Sequence, residues 1–401
     1  MGYTKETFHQ LLKMAVQNEV SDIHLRTGES PYFRIKGKLK RIKSDPISVQ
    51  DMQVFCKTLI NDDDAVKNMT TLKEYDCSYQ YGKICRVRVN FLRFQEKAAL
   101  ILRVITMNIP TLKQLGLPKA VKKITNAKRG LVMVTGVTGS GKSSTLAAIL
   151  EEINSTREEH ILTIEDPVEF LFSSKKCRIT QREIGSDTEN FKDALRGALR
   201  QDPDIIVIGE LRDAETIQIA MKAAETGHLV FGTVHTTNAL TTINRVVSMF
   251  PPEEQDNVKQ RLSDCLQATI SQRLLPKKDG SGRIVAQEIM VNTVGTKDCI
   301  TGKEPLSNIY ITIEKAKKDE VMQSFDQHLT DLYLDEKISF ETAMDAASSP
   351  SNFQRNLQFG KEQNEEGESS ETEGGNSNGP KDHLTATSIE LELDFAKKDA
   401  S

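Results

Sequence analysis

Gly130-Leu131-Val132-Met133-Val134-Thr135 is an apolar run, and Gly136-Val137-Thr138-Gly139-Ser140-Gly141-Lys142-Ser143-Ser144 follows it directly. An apolar stretch without polar alternation predicts a strand buried on both faces of a parallel sheet. The residues after it have the spacing Gly-x-x-x-x-Gly-Lys-Ser of a phosphate-binding loop, and helical sequence continues from Lys142. Glycines let the backbone wrap an anion without Cβ clashes. Successive N–H groups then converge on the anion, and the N-terminus of the next helix adds partial positive charge. Lys142 is placed to reach the β- and γ-phosphates, and Ser143 to offer a hydroxyl to Mg²⁺. Gly136 through Ser144 are therefore the expected nucleotide contacts, with ATP and Mg²⁺ as the ligands.

Similar apolar runs recur at 161–164, 205–208 and 229–234, with helical stretches between them. This rhythm predicts an α/β fold built of βαβ units, its mostly parallel sheet covered by helices. Two runs end in carboxylates, Ile161-Leu162-Thr163-Ile164-Glu165-Asp166-Pro167-Val168-Glu169 and Asp204-Ile205-Ile206-Val207-Ile208-Gly209-Glu210. Ligands of open parallel sheets bind beyond the carboxyl ends of the strands. Glu165 and Glu210 are thus the candidates for Mg²⁺ contact and for polarising the attacking water. Asp166 before Pro167 has a competing reading as an ordinary helix N-cap. The third run, 226–236, places His235 at its carboxyl end, where it can sense the γ-phosphate, and His228 at its amino end. For His228 a structural hydrogen bond is the simpler role. Neither histidine is an expected metal ligand, because Mg²⁺ prefers oxygen. Further helices are expected at 253–275 and 312–346.

Upstream, residues 4–20 carry a helical apolar face, and Ser21-Asp22-Ile23-His24-Leu25 reads as a short strand. A hairpin follows between Pro31 and Lys43, turning at Gly37, then a helix at 48–60 and three strands within 73–105. Residues 1–108 thus form a small α+β domain. Asn108-Ile109-Pro110 and Gly116-Leu117-Pro118 punctuate a linker at 109–118. Arg86 and Arg88 lie two apart, on one strand face, and Arg103 lies on a later strand. They read either as a solvated basic strand or as cations that compensate ATP from a separate domain.

The 401 residues are 38% hydrophobic and 27% charged with a net charge of −4, so the whole-chain charge gives no reason to expect a nucleic-acid partner. The six cysteines include no Cys-x-x-Cys pair, which argues against structural zinc and for reduced thiols. No apolar leader follows Met1 and no run approaches a membrane span, so direct membrane insertion is not expected. Residues 361–373 hold six glutamates and one lysine, and Gly, Asn, Ser and Pro dominate 374–380. That composition predicts a disordered acidic tail over 349–401. Its last stretch, Leu384–Phe395, alternates apolar residues and reads as a docking segment or a frayed end.

Four signatures together resemble one family. They are GVTGSGKS at 136–143, ILTIEDPVE at 161–169, DIIVIGELRD at 204–213 and TGHLVFGTVHT at 226–236, with NFKDALRGALRQDPD at 190–204 between them. The chain resembles the hexameric secretion ATPases, in the PilT and PilU branch that powers type IV pilus retraction, over about residues 1–359. The resemblance implies a PAS-like N-terminal domain over 1–108 and a RecA-like ATPase domain with C-terminal helices over 119–348. It implies Glu210 as catalytic carboxylate, Glu165 as its assistant, and Arg88 and Arg103 as arginines reaching a neighbouring subunit's ATP. His228 and His235 would couple nucleotide state to the ring, and Arg212 and Asp213 would make interfacial contacts. It also implies a homo-hexamer in the cytoplasm, peripheral at the inner-membrane base of a pilus machine, working with a platform protein.

One segment departs from the PilT pattern. Where those proteins carry an AIRNLIR-like stretch, this chain reads Val291-Asn292-Thr293-Val294-Gly295-Thr296-Lys297-Asp298-Cys299-Ile300. The segments 322–333 and 338–343 are similar instead to PilU, which implies an accessory retraction ATPase acting with a PilT-like partner ATPase. The rival readings are a secretion or pilus-extension ATPase, a non-catalytic ATP-binding ring regulator, and a nucleic-acid translocase. Intact Lys142, Glu165 and Glu210 weigh against the regulator.

Overall fold

A computed structural model describes residues 2–357, except 36, 61–63, 65, 67–70, 83, 107, 352 and 356, and the chain divides into two compact units between Asn108 and Ile109. The first unit opens with the helix Lys5–Gln17. Thr4 starts it through a reciprocal cap in which Thr4 Oγ1 accepts from Thr7 N and Thr7 Oγ1 accepts from Thr4 N. Its face of Phe8, Leu11, Leu12 and Ala15 is buried. Phe8 meets Phe55 of the helix Val49–Leu59 at 5.0 Å between ring centres.

Six antiparallel strands complete this unit: β1 Val20–Arg26, β2 Tyr32–Ile35, β3 Lys38–Arg41, β4 Glu74–Tyr81, β5 Cys85–Phe94 and β6 Lys97–Thr106. Their order is β3-β2-β1-β6-β5-β4. Along β5, Cys85, Val87, Val89 and Phe91 point into the core, which turns Arg86 and Arg88 to the other face. Arg88 stands directly across from Arg103 on β6, and Arg103 Nε donates to Asp22 Oδ1 at 3.1 Å.

The second unit contains a seven-stranded sheet: β7 Gly130–Thr135, β8 His160–Glu165, β9 Arg178–Glu183, β10 Ile205–Ile208, β11 Leu229–Val234, β12 Leu266–Pro276 and β13 Arg283–Val291. The order is β13-β12-β7-β11-β10-β8-β9, parallel throughout except for β13. Alternate residues of the central strands feed two separate cores. Leu131, Met133, Leu162, Ile164, Ile206 and Val230 pack under the helices Phe191–Ala198, Ala214–Glu225, Ala239–Ser248 and Gln255–Cys265. Val132, Val134, Ile161, Ile205, Leu229 and Phe231 pack under Lys119–Ile124 and Lys142–Thr156. Burial on both faces is why these strands read as unbroken apolar runs.

Two expected helices are corrected. The stretch 253–275 is helical only as far as Cys265, and β12 begins at Leu266. Its residues pair on one side with β7 and on the other with β13, so tertiary hydrogen bonding overrides the local periodicity. The stretch 312–346 is divided among Ile309–Lys315, a 3₁₀ turn at Ala316–Asp319, Phe325–Leu334 and Phe340–Ala346. Fresh N-caps at Ser324 and Ser339 account for the breaks.

Residues 112–117 fold back on themselves, Leu117 N donating to Leu112 O at 3.0 Å, and both leucines pack against the core that holds Val132, Val134 and Phe231. At the far end Phe353 and Leu357 are buried with Phe325, Leu329 and Leu332, so the packed chain runs past 348. The acidic stretch 361–380 and the segment Leu384–Phe395 lie outside the described residues. Among the described residues no helix is long and apolar enough to cross a membrane.

Candidate active site

Strand β7 lies within the parallel set, between β12 and β11, and delivers the chain to the phosphate loop. Gly136, at φ +150°, sits so close to β12 that a Cβ would lie 2.6 Å from Gln272 O, which no side chain tolerates. Gly141, at φ +87°, starts the helix Lys142–Thr156 without any side-chain cap. The first N–H groups of that helix therefore keep their capacity to bind an anion. Lys142 is 9% exposed, and its Nζ donates to Gly136 O at 2.8 Å and Val137 O at 3.1 Å. Burial lowers its pKa, while the charges of Glu210 and Glu169 pull it back up. Ser140 Oγ is buried with no hydrogen-bond partner among the described residues.

The carboxylates come from neighbouring strand ends. Glu165 closes β8, and its Oε1 accepts from Thr163 Oγ1 at 2.6 Å and Gln181 Nε2 at 3.1 Å. Burial raises its pKa, partly offset by those two hydrogen bonds. Glu210 follows β10 after Gly209, where a Cβ would lie 3.2 Å from the Glu165 Cα. The two strand ends are thus in close backbone contact. Glu210 Oε2 meets Arg212 Nη2 at 2.8 Å, and Oε1 meets His235 Nε2 at 3.4 Å. Burial disfavours ionisation of Glu210, but Arg212 and His235 together outweigh it and hold the carboxyl below its usual range. The two glutamates therefore have opposite electrostatic settings.

Lys142, Glu210 and His235 are brought together, and Glu165 stands beside Glu210. His228 is at the opposite end of β11, where Nδ1 pairs with Ala223 O at 2.9 Å and secures the end of the helix Ala214–Glu225. Asp166 is not an N-cap, because no helix follows it. Arg212 grips Glu210 of its own chain, and Asp213 caps Ala214–Glu225 by accepting from Thr216 N at 2.8 Å. Arg88 and Arg103 belong to the first unit, where Arg103 is 70% exposed despite its bond to Asp22.

Three contributors had no assigned role in the sequence reading. Glu169 acts on Lys142 by charge, Gln181 orients Glu165, and Gln272 Nε2 donates to Ser140 O at 2.7 Å. Gln181 lies on β9, whose polar sequence gave no strand signal, and Gln272 lies on the strand expected to be a helix. Beside the loop a cavity of about 490 Å³ opens between Ser144, Thr145, Leu115, Leu274 and Arg283. That is the size of a small-ligand pocket.

The residues fit a nucleoside triphosphate: an anion nest, a desolvated ammonium and a buried hydroxyl without a partner face one loop. No trio of His, Cys, Asp or Glu among the described residues could enclose a metal ion. The donors present fit Mg²⁺ as it is usually held, by a hydroxyl and a carboxylate with phosphate oxygens completing the set.

Residues 2–348 match the type II/IV secretion system protein family. The type IV pilus retraction ATPase PilT of Pseudomonas aeruginosa is 43% identical over 344 residues, covering 86% of this chain and 99% of that protein. The type IV pilus ATPase PilU of the same organism is 34% identical over 369 residues, covering 92% and 95%. A crystal structure of the pilus retraction motor PilT with bound ADP superposes with a TM-score of 0.79 at 40% identity, covering 86% of this chain and 98% of that one. With a complete phosphate loop and two carboxylates at adjacent strand ends, the chain belongs to the type II/IV secretion system family and is an ATP-hydrolysing P-loop enzyme.

Proposed function

We propose that this ATPase is a ring motor that drives or assists type IV pilus retraction. The observation that carries the reading is Glu210, held ionised by Arg212 and His235 within charge reach of Lys142. Similarity over 99% of the length of PilT supports the pilus assignment. Gly136, Val137, Thr138, Gly139, Ser140, Gly141, Ser143 and Ser144 bind the phosphates. Lys142 neutralises charge that grows on the γ-phosphoryl oxygens. Glu210 orients the attacking water and takes its proton, while Glu165 assists from β8. Ser143 and Glu210, with Glu165 nearby, would hold Mg²⁺, which supplies charge neutralisation on the β- and γ-phosphates. His235 reports the occupancy of the site through Glu210, and His228 braces the far end of the same strand.

The assembly is a homo-hexamer in the cytoplasm, at the inner-membrane base of a pilus machine and against its platform protein. Its N-terminal unit is a PAS-like domain that offers Arg88 and Arg103 to a neighbour's ATP. Their exact register across β5 and β6 suits two cations presented side by side. Residues 119–348, after a linker at 109–118, form a RecA-like ATPase domain with C-terminal helices.

Within retraction, the role is that of a PilU-like accessory ATPase. The segment 291–300 supports it, forming the helix Val294–Thr301 with Val294 78% exposed where PilT proteins carry a different sequence. The higher identity to PilT supports the principal retractor instead. ATPase assays of wild type and Glu210→Gln, alone and with a PilT-like partner, test the motor. Equal rates for both proteins in both mixtures would sink it. Pilus retraction by this chain in cells lacking the partner would overturn the accessory role.

A further inference from the structure

Strand β12 presents two adjacent residues to opposite sides, and they make different attachments. Gln272 faces the phosphate loop and donates from Nε2 to Ser140 O at 2.7 Å. One residue earlier, Ser271 Oγ accepts from Thr135 Oγ1 at 2.9 Å, just before the loop begins. Arg273 faces the C-terminal helices. Its guanidinium lies 4.1 Å over the Phe325 ring, and it donates to Ala346 O and to Ser348 Oγ. Asp326 holds the same segment by accepting from Ser348 N at 2.7 Å and Ser349 N at 3.0 Å.

A second line of bonds joins the two sides. Gln272 Oε1 accepts from Gln287 Nε2 at 3.4 Å across the β12–β13 pair. The backbone of Gln287 is fixed in turn by the C-terminal module: its N–H donates to His328 Nδ1 at 2.9 Å, and its carbonyl accepts from Gln323 Nε2 at 3.0 Å. Gln272 is 1% exposed and Gln287 fully buried, yet Gln287 Oε1 has no hydrogen-bond partner among the described residues. Two buried amides carry a desolvation penalty that apolar residues of similar volume would avoid. Packing alone does not call for them.

The module also reaches the wall of the cavity beside the loop, which Glu336 and Lys337 line. Lys278 N donates to Lys337 O at 2.9 Å and keeps that wall in place.

We propose that Gln272 and Gln287 are positioning residues that tie the phosphate loop to the C-terminal helical module, so that nucleotide binding and the packing of residues 324–349 are coupled. The inference deepens the ATPase reading and rests on it. Neither residue touches the reacting atoms; Gln272 fixes the carbonyl of Ser140, and Gln287 transmits the fit of Phe325–Leu334 to Gln272. Coupling of this kind is reciprocal: the module tunes nucleotide affinity, and nucleotide orders the module.

Hydrogen–deuterium exchange of the full-length protein with saturating ADP and Mg²⁺ tests this directly. Wild type is expected to gain protection both at 136–145 and at 324–349. Gln287→Met, which removes the middle link without touching the loop, should keep the first and lose the second. Gln272→Met should behave likewise at ADP levels matched to its own affinity. It should also raise KM for ATP by about tenfold, the factor of one lost hydrogen bond of ordinary strength, with a smaller change in kcat. Melting temperature serves as the folding control, and either variant suffices if the other does not fold. Protection at 136–145 alone in wild type, or unchanged protection at 324–349 in the variants, overturns the coupling and leaves the ATPase reading intact. No protection at 136–145 in wild type overturns the nucleotide site itself, and the coupling with it.

Discussion

The centre and the edge of the ATPase sheet are built differently and contribute different things. In the centre, β7, β8, β10 and β11 run parallel and end together, which gathers the phosphate loop, Glu165, Glu210 and His235 at one rim. At the edge, β12 and β13 are antiparallel and bring no carboxylate to that rim. They supply Ser271 and Gln272, which bond Thr135 and Ser140 at the loop, Gln287, which bonds Gln272 from behind, and a buried acid, Glu288, which accepts from Ala239 N at 2.7 Å. Parallel strands bring reactive groups to a common end, whereas the antiparallel pair braces them from the side. Changes at the centre should therefore cost rate, and changes at the edge should cost affinity or stability.

The largest effect is expected from Lys142→Ala. It removes the ammonium that meets the γ-phosphoryl charge, and steady-state kcat should fall by roughly 10²–10³ or more. A loss under tenfold would show that the loop's N–H groups carry the charge alone. Glu165→Gln separates the two carboxylates. Because burial raises the pKa of Glu165, its ionised form appears only at higher pH than for an ordinary glutamate. Wild-type kcat should then show an acid limb displaced to higher pH, and Glu165→Gln should abolish that limb. Glu210, held low by Arg212 and His235, is ionised throughout the same range and contributes no limb there. An unchanged limb in Glu165→Gln would assign it to another group.

Legibility in the sequence follows the same division. The parallel centre was readable because burial on both faces leaves apolar runs such as 130–135 and 205–208, and because the loop after β7 has a fixed spacing. The order of those strands gave Glu165 and Glu210 their places. The edge was opaque. Leu266–Pro276 mixes Gln267, Ser271, Gln272 and Arg273 into the strand, and its preceding helix ends with no glycine or proline to mark the change. Gln272 is functional in aspect only because β12 lies next to β7, which no local pattern states. Arg212 was visible, but its partner was not: the grip on Glu210 depends on how the chain turns after β10. In the first unit, alternation along β5 sorted Arg86 and Arg88 to one face, and the pairing of Arg88 with Arg103 needed the register of β5 on β6.

An intermediate effect is expected at the edge from Glu288→Gln. Burial raises Glu288 to about 7, against which Ala239 N and Arg273 act only partly. A folded pKa above the unfolded one means that the native state holds more protons between the two values, so stability falls as pH rises through that window. Glutamine keeps an acceptor for Ala239 N and does not ionise. The variant should match wild type near pH 4.5 and exceed it above pH 7 by on the order of a few kcal/mol, seen as a higher Tm. A variant less stable than wild type at pH 8 would mean that ionised Glu288 is favourably paired with Arg273, and that the edge, too, stores useful charge.

The smallest effect is expected where the edge meets the C-terminal module. Ser324 Oγ accepts from Gln327 N at 3.3 Å, and Gln327 Oε1 accepts from Ser324 N at 3.0 Å, which starts the helix Phe325–Leu334. Ser324→Ala breaks one half of that box and should cost about 1 kcal/mol of stability. In a unit of this size that is a drop in Tm of roughly 2–4 °C. Gln327 Nε2 still donates to Glu314 O at 3.0 Å, so the helix keeps its seat. With the helix still seated, the links from Gln287 through Gln272 to Ser140 are undisturbed, and ATP affinity should change less than twofold. A larger loss of affinity at unchanged kcat would mean that the entry of this helix is felt at Ser140 through Gln287 and Gln272, and the boundary between bracing and binding would move outward from β12 to the module itself.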